Sequence, residues 1–402
     1  MPTRRATRSL QGGLTLTPLV TKRRIRGTLL IGAAALAAAR GLYLKRTATT
    51  VTLEDFLGRA PSLDPENHAR ASQSVAVVPL FELGPRVAVV GLGGAGRNVV
   101  RHLVDIGLPG AKFITFGTYT SQELWPELGR GHTHVHGEIA PTPGLDGGDP
   151  ARGARAAEGS AEELRELLRG VDAVLVTAGL GGNTGTGSAP VVARIAREAG
   201  AFPVGIATSP FGFEGHRRRQ TAEDGLAAFR REVDTLVVIP CDGLLSILDR
   251  GATVAMAFQA LDEVVSRAVR AIAEFGLGPP GLITIDFADV RCLMQMPPDY
   301  LGMIGIGGSS GEGRAVEAAR AALSSQFLAL PIESARLVLL SVRGGPTFTL
   351  DEGFKAAKVV ADAVGTRQNP HILRAMRVDP QLGEAVEVTL IAFSHDSAPR
   401  SA

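Results

Sequence analysis

Two glycine-rich stretches hold most of the chemistry that can be read from this chain. "GLGGAGRN", Gly91 to Asn98, follows the apolar run Val87-Ala88-Val89-Val90 and fits Gly-x-Gly-x-x-Gly. "GLGGNTGTG", Gly179 to Gly187, follows a second apolar run. Such loops hold phosphate with backbone N–H groups at a helix N-terminus. Neither ends in Gly-Lys-Ser/Thr, so no P-loop lysine is supplied. A dinucleotide fold places an acid for the ribose about 20 residues after the first loop. Here the second strand ends at Phe116-Gly117-Thr118-Tyr119, and no acid follows until Glu123. That argues against NAD(P) and for a phosphate site made by main chain from two sides. Thr184 and Thr186 add hydroxyls. His132, His134 and His136 alternate, but with no Cys or carboxylate pair nearby they read as surface histidines, not metal ligands.

These loops need strands and helices to aim them. A strand–loop–helix unit spans "RVAVVGLGGAGRNVVRHLVDIG", and "KFITF", residues 112–116, reads as a second strand. Residues 129–159 are rich in Gly, Pro and His and read as loop. "SAEELRELLRG" opens on Ser160 with Glu163 three residues on, the pattern of a capping box. Strand "VDAVLVTAG", the second loop and helix "APVVARIAREAG" follow, then strands "FPVGIATSPF" and "TLVVIPCD" with a helix between. This alternation predicts a doubly wound parallel sheet. Residues 252–275 form one long helical pattern, stopped by Pro279-Pro280. Strand-like runs at 281–286, 301–306, 336–342 and 385–393, with helices near 312–324 and 352–364, predict a second α+β unit.

The chain has 402 residues, is 45% hydrophobic and carries a net charge of +2, which makes no global case for nucleic acid. Its charge is uneven: residues 1–53 hold ten Lys/Arg and no Asp or Glu, so the remainder is mildly acidic. Cys241 and Cys292 are the two cysteines, too few for a disulfide framework or a cysteine metal site, and a reducing compartment fits. The basic head contains the apolar stretch Leu29–Leu44, interrupted by Arg40 and short of the roughly 20 residues a membrane span needs. Three readings stay open for it: membrane anchor or interfacial helix, organelle transit peptide, and disordered basic arm.

The second loop, "GGNTGTG", resembles the signature of the tubulin and FtsZ family, and "PFGFEGHRRR", "VVIPCDGLL", "IDFADVR" and "GEGRAVEAARAALSS" resemble FtsZ segments in the same order. The likeness covers roughly residues 85–394. It implies an α/β fold: a Rossmann-type GTPase domain (85–250), a long central helix (251–278) and a smaller α+β domain (279–395), with a head at 1–84 and a tail at 396–402. It also implies GTP or GDP with Mg²⁺. Gly94, Ala95, Gly96, Arg97 and Asn98 would line the nucleotide from the first loop, and Gly147 and Gly148 from another. Gly181, Gly182, Asn183, Thr184, Gly185, Thr186 and Gly187 would cradle the phosphates. Glu214 and Arg218 would lie at the ribose, and Phe258 and Asp262 at the guanine. A carboxylate at Asp262 can accept from both guanine N1–H and N2–H₂. Asp286 and Asp289 match the loop that hydrolyses nucleotide on a neighbouring subunit, which implies head-to-tail filaments.

Some positions depart from the family pattern. Gly117-Thr118-Tyr119 replaces Asn-Thr-Asp, Asn183 stands where Gly is usual and would suit a positive φ, Cys241 replaces a base-contacting Asn, and Thr284 replaces an Asn in the hydrolytic loop. The chain also ends without the acidic linker and adaptor-docking peptide of FtsZ. The expectation is therefore a polymerising GTPase of cell division, cytoplasmic, associated with membrane at the division site through its head. The alternative is a nucleotide-binding scaffold of weak turnover with a membrane-associated role outside division.

Overall fold

The computed structural model describes residues 86–108, 110–118, 132–137, 149–249, 251–277, 287–297, 299–328, 331–367 and 369–395. The head, Gly147, Gly148, Tyr119, the strand expected at 281–286 with its Thr284 and Asp286, and the tail lie outside the described residues.

Six strands build the first half of one ten-stranded sheet: β1 (Val87–Leu92), β2 (Ala111–Gly117), β3 (His132–His136), β4 (Ala173–Gly179), β5 (Phe202–Ser209) and β6 (Thr235–Pro240). They are mutually parallel in the order β3-β2-β1-β4-β5-β6. All six residues of β1 are buried, which is why that strand reads as a continuous apolar run and not as an alternation. Helices α1 (Gly93–Ile106), α2 (Pro150–Gly159), α3 (Ala161–Leu168), α4 (Asn183–Glu198) and α5 (His216–Glu232) cover its faces. Strand order reverses between β1 and β4. At such a switch point the loops diverge and leave a crevice at the carboxyl ends of the strands.

Two expectations are corrected. The segment 129–159 is not all loop: it holds β3 and α2. Pairing with β2 draws the three histidine positions into an edge strand. Ser160 is the N-cap of α3, but its side chain makes no capping bond, because α2 runs on to Gly159 and fixes Ser160 by backbone bonds to Ala156 and Glu158. A full capping box forms instead at Thr349 and Glu352.

Helix α6 (Val254–Leu277) joins this half to the rest. Its 24 residues span about 36 Å. One apolar cluster runs from Val89 and Leu103 through Val265, Ala268 and Ile272 of α6 to Leu339 and Ile391. Helix α7 (Phe287–Met294) follows, then β7 (Tyr300–Ser310), α8 (Arg314–Leu323), β8 (Leu337–Gly344), α9 (Leu350–Val364), β9 (His371–Val378) and β10 (Ala385–His395). The sheet continues as β6-β7-β10-β8-β9, with β7 joined to β6 through Val237 and Gly302. Strand β9 was not legible beforehand; its polar residues, Arg374 and Arg377, break the apolar pattern. Buried Arg314 ties α8 to α9, bonding Glu352 through Nε and Nη2 and the carbonyls of Thr347 and Glu384. That pairing holds the Glu352 carboxyl down at about 2.

Candidate functional site

Both glycine loops open at the switch point. The first leaves β1 and becomes the N-terminus of α1; the second leaves β4 and becomes the N-terminus of α4. Neither helix has a side-chain cap or an acid in its first turn. Their leading N–H groups are therefore left for a ligand, and their dipoles favour an anion there.

The glycines divide into two kinds. A Cβ on Gly91 would strike the Gly96 carbonyl, and one on Gly96 the Thr177 carbonyl of β4, so these two bring α1 against the strands. A Cβ on Gly187 would strike the Pro150 carbonyl and one on Gly153 the Asn183 carbonyl, so α2 and α4 meet backbone to backbone. By contrast, Gly94 and Gly182 face open space. Those two present bare main chain where a phosphate would approach. Gly181 takes φ +97°, a turn that suits glycine. Asn183, which would suit a positive φ, does not take one; it is the first residue of α4, and the positive φ falls on Gly181.

The hydroxyls have distinct tasks. Thr186 is buried and its Oγ1 accepts from the Gly181 N–H at 2.8 Å, fixing the second loop. Thr184 Oγ1 meets Thr118 Oγ1 at 2.7 Å, which joins the end of β2 to the second loop. That contact links the Gly117-Thr118 segment to the second glycine loop. Arg218 lies over the second loop, its Cγ against Gly181, and its Nε pairs with Glu214 Oε2 at 2.8 Å. Glu214 Oε1 in turn accepts from the Phe211 N–H at 2.8 Å, so the pair is held on two sides.

Phe258 and Asp262 lie one turn apart on α6. Phe258 meets Phe211 edge-on at 6.1 Å, and Phe211 stacks on Phe213 at 5.0 Å. Asp262 has no hydrogen-bond or ion-pair partner among the described residues. Burial pushes its carboxyl up to about 6, opposed by the charges of Arg101 and His102 on α1. A desolvated, unpaired carboxylate gains when N–H donors reach it. His102 Nε2 bonds Glu263 Oε2 at 2.6 Å, fastening α1 to α6. Arg101 and His102 were not singled out from sequence, since they become neighbours of Asp262 only through the α1–α6 contact. Cys241, at the end of β6, is buried, and its thiol is pushed up to about 12 by burial and by Glu214. It is therefore a neutral apolar group beside the Glu214–Arg218 pair.

The structure thus brings together the two loops, Thr118, Glu214, Arg218, Phe258 and Asp262 at the carboxyl edge of the sheet. It does not bring Asp289 there. Asp289 is exposed on α7, and α7 docks on the opposite edge. Arg291 lies 5.9 Å from the ring centre of Phe202, the first residue of β5. Thr235, the first residue of β6, donates to the Met294 carbonyl, and the Met296 N–H donates to the Asp234 carbonyl at 3.3 Å. Phe202 to Ser209 is about 23 Å of strand at roughly 3.3 Å per residue. The length of β5 therefore separates Asp289 from its own glycine loops.

The chain is similar in sequence and fold to known proteins. A family model described as Tubulin/FtsZ family, GTPase domain, matches residues 86–249, and one described as FtsZ family, C-terminal domain, matches residues 301–395. A tryptophan-to-tyrosine variant of FtsZ from M. jannaschii is 36% identical, covers 83% of this chain and 96% of its own, and superposes with a TM-score of 0.71. A structure titled as an empty FtsZ dimer from M. jannaschii is 34% identical, covers 85% and 99%, and has a TM-score of 0.72. CetZ from Methanosaeta thermophila strain DSM 6194, at 18% identity, coverage of 78% and 88% and a TM-score of 0.61, is similar in fold.

Proposed function

The chain belongs to the tubulin/FtsZ family, and from that premise we propose that it is a GTPase whose hydrolytic site is completed by a second copy stacked head to tail. The observation that carries this reading is the separation of Asp289 from the loops of its own chain by the length of β5. An exposed carboxylate on the opposite edge can act only on the nucleotide of the next molecule. A head-to-tail contact of this kind does not close, so it propagates as a filament. Exposed apolar side chains near the site edge support such a contact: Phe213, Phe258, Met256 and Val254 leave large apolar area in water that a neighbour would cover.

In this reading the first-turn N–H groups of α1 and α4, with Gly94 and Gly182 bare, hold the phosphates. Arg218, oriented by Glu214, holds the ribose side. Asp262 accepts from guanine, and Phe258 packs on the base. Asp289, with Asp286, positions the attacking water from the neighbouring copy. Gly147 and Gly148 complete the phosphate loops. Mg²⁺ would offset phosphate charge there. The cellular role we propose is division, in the cytoplasm, with the basic head bringing filaments to anionic membrane. Among the described residues no helix is long and apolar enough to cross a membrane, and the head is outside them. The neutral Cys241 in place of an amide favours a second reading, a scaffold of weak turnover. Phosphate release on added GTP, followed against protein concentration, tests the proposal. Turnover per molecule should rise steeply above a threshold; turnover independent of concentration would contradict it.

A further inference from the structure

Helix α7 and the entries to β7, β8 and β9 border a cavity of about 390 Å³. Its two walls differ in chemistry. Leu293 of α7, with Met296 and Pro297 of the turn after it, makes an apolar wall. Arg336, Asn369 and His371 make a polar wall, and no carboxylate lines the cavity among the described residues. The backbone sets the polar residues side by side. The Arg336 N–H donates to the Phe393 carbonyl of β10 at 2.9 Å, and the His371 N–H donates to the Arg336 carbonyl at 2.9 Å. Asn369 turns the chain towards β9 with φ +47°, a conformation asparagine tolerates. Arg336 Nη1 donates to the Tyr300 hydroxyl at 3.2 Å, and the Tyr300 ring meets His395 edge-on at 5.7 Å. The acid beside Tyr300, Asp299, already pairs with His395 at 2.7 Å. Arg336 has no carboxylate partner among the described residues, and the side chains of His371 and Asn369 have no hydrogen-bond partner there.

We propose that this cavity binds a small organic carboxylate, its charged end received by Arg336 and His371 and its apolar body laid on Leu293, Met296 and Pro297. With Nη1 held by Tyr300, the Nε and Nη2 side of the guanidinium remains, a planar fork matched to the two oxygens of a carboxylate. The His371 ring and the Asn369 amide supply further donors on the same wall. A bare phosphate would leave the apolar wall in water, and an uncharged apolar molecule would gain nothing from the fork. The volume falls near the lower end of small-molecule sites, so the ligand is compact. The proposal does not rest on the nucleotide reading.

A cysteine at the site gives the readout. Cys292 borders the cavity and is exposed, whereas Cys241 is buried. N-ethylmaleimide, which is uncharged, should therefore label Cys292 in the folded chain, and an occupant of the cavity should shield it. The test follows labelling at Cys292 by peptide mass, on the full chain with GDP at fixed ionic strength, as phenylacetate is added. Labelling should slow several-fold and the effect should saturate. Acetate, phosphate and benzyl alcohol at the same concentrations should shield little, since each lacks either the apolar body or the carboxylate. Arg336→Met should lose the saturable protection while keeping the wild-type urea midpoint. Arg336→Lys, which keeps the charge but not the fork, should bind phenylacetate roughly tenfold more weakly by calorimetry. Equal affinity in Arg336→Lys, or protection by benzyl alcohol equal to that by phenylacetate, would overturn recognition of the carboxylate. Protection by phosphate or acetate as strong as that by phenylacetate would overturn the role of the apolar wall. A wild-type chain without saturable protection, or an Arg336→Met chain that keeps it, overturns the site.

Discussion

Replacing Asp262 by Asn removes a charge and almost no volume, and its consequences run in opposite directions for folding and for ligand. Burial holds the Asp262 carboxyl up at about 6. A rise of that size corresponds to roughly 3 kcal/mol of penalty on the charged form, and partial exposure brings the expected cost to about 1–2 kcal/mol. The folded chain binds this proton more tightly than the unfolded chain does. Stability therefore falls as pH rises from about 4 to about 6, and the cost is fully present above that. Asp262→Asn should then be about 1–2 kcal/mol more stable than wild type at pH 7.5 without nucleotide, with the gain gone by pH 4. GTP binding should go the other way. Losing charge-assisted bonds to the base costs about 1.5–3 kcal/mol, or roughly 10- to 100-fold in affinity. Wild-type affinity should fall below pH 6 as Asp262 protonates, and the variant should not show that fall. Urea unfolding across pH and calorimetric titration with GTP measure both. An Asp262→Asn chain destabilised equally at every pH, or one that binds GTP as tightly as wild type, would refute the reasoning.

Further outcomes are expected. Cys241→Ala should cost less GTP affinity than Asp262→Asn, since a neutral thiol is a weak donor; fluorescence titration with GTP and ATP ranks them, and equal preference for the two nucleotides in wild type would sink the guanine role of Asp262. Gly187→Ala should destabilise by roughly 2–4 kcal/mol, because its Cβ meets the Pro150 carbonyl and forces α2 from α4; a urea midpoint near wild type would contradict that packing. Full-length protein should sediment with anionic liposomes, and less so in high salt, whereas a chain starting at Thr47 should not; equal behaviour would remove the head from the membrane proposal.

The parts of the fold that were legible share a physical cause. Strands β1, β4, β5 and β6 are buried on both faces, so they stand out as apolar runs, and each glycine loop sits where such a run stops. Strand β3 and helix α2 were hidden because their residues, histidines and small or charged groups, gain their structure from neighbours already in place. The Ser160 pattern misled because a preceding helix had already taken the cap backbone. At the site, Gly94, Gly182, Phe258 and Asp262 were nameable through the family resemblance and fall at one edge. The cooperation of Thr118 with Thr184, and of Arg101 and His102 with Asp262, depends on which elements pack together, and no local pattern encodes it.

A mixing experiment tests the shared site most directly. An Asp289→Ala chain keeps its glycine loops but lacks the carboxylate offered to a neighbour. An Asp262→Ala chain offers Asp289 but binds GTP poorly. Each alone should hydrolyse little. Mixed at equal concentration, some Asp289→Ala molecules bind GTP next to an intact Asp289, and phosphate release should recover to a clear fraction of wild type. No recovery, in a mixture whose co-assembly is verified by sedimentation, would contradict a site divided between two copies.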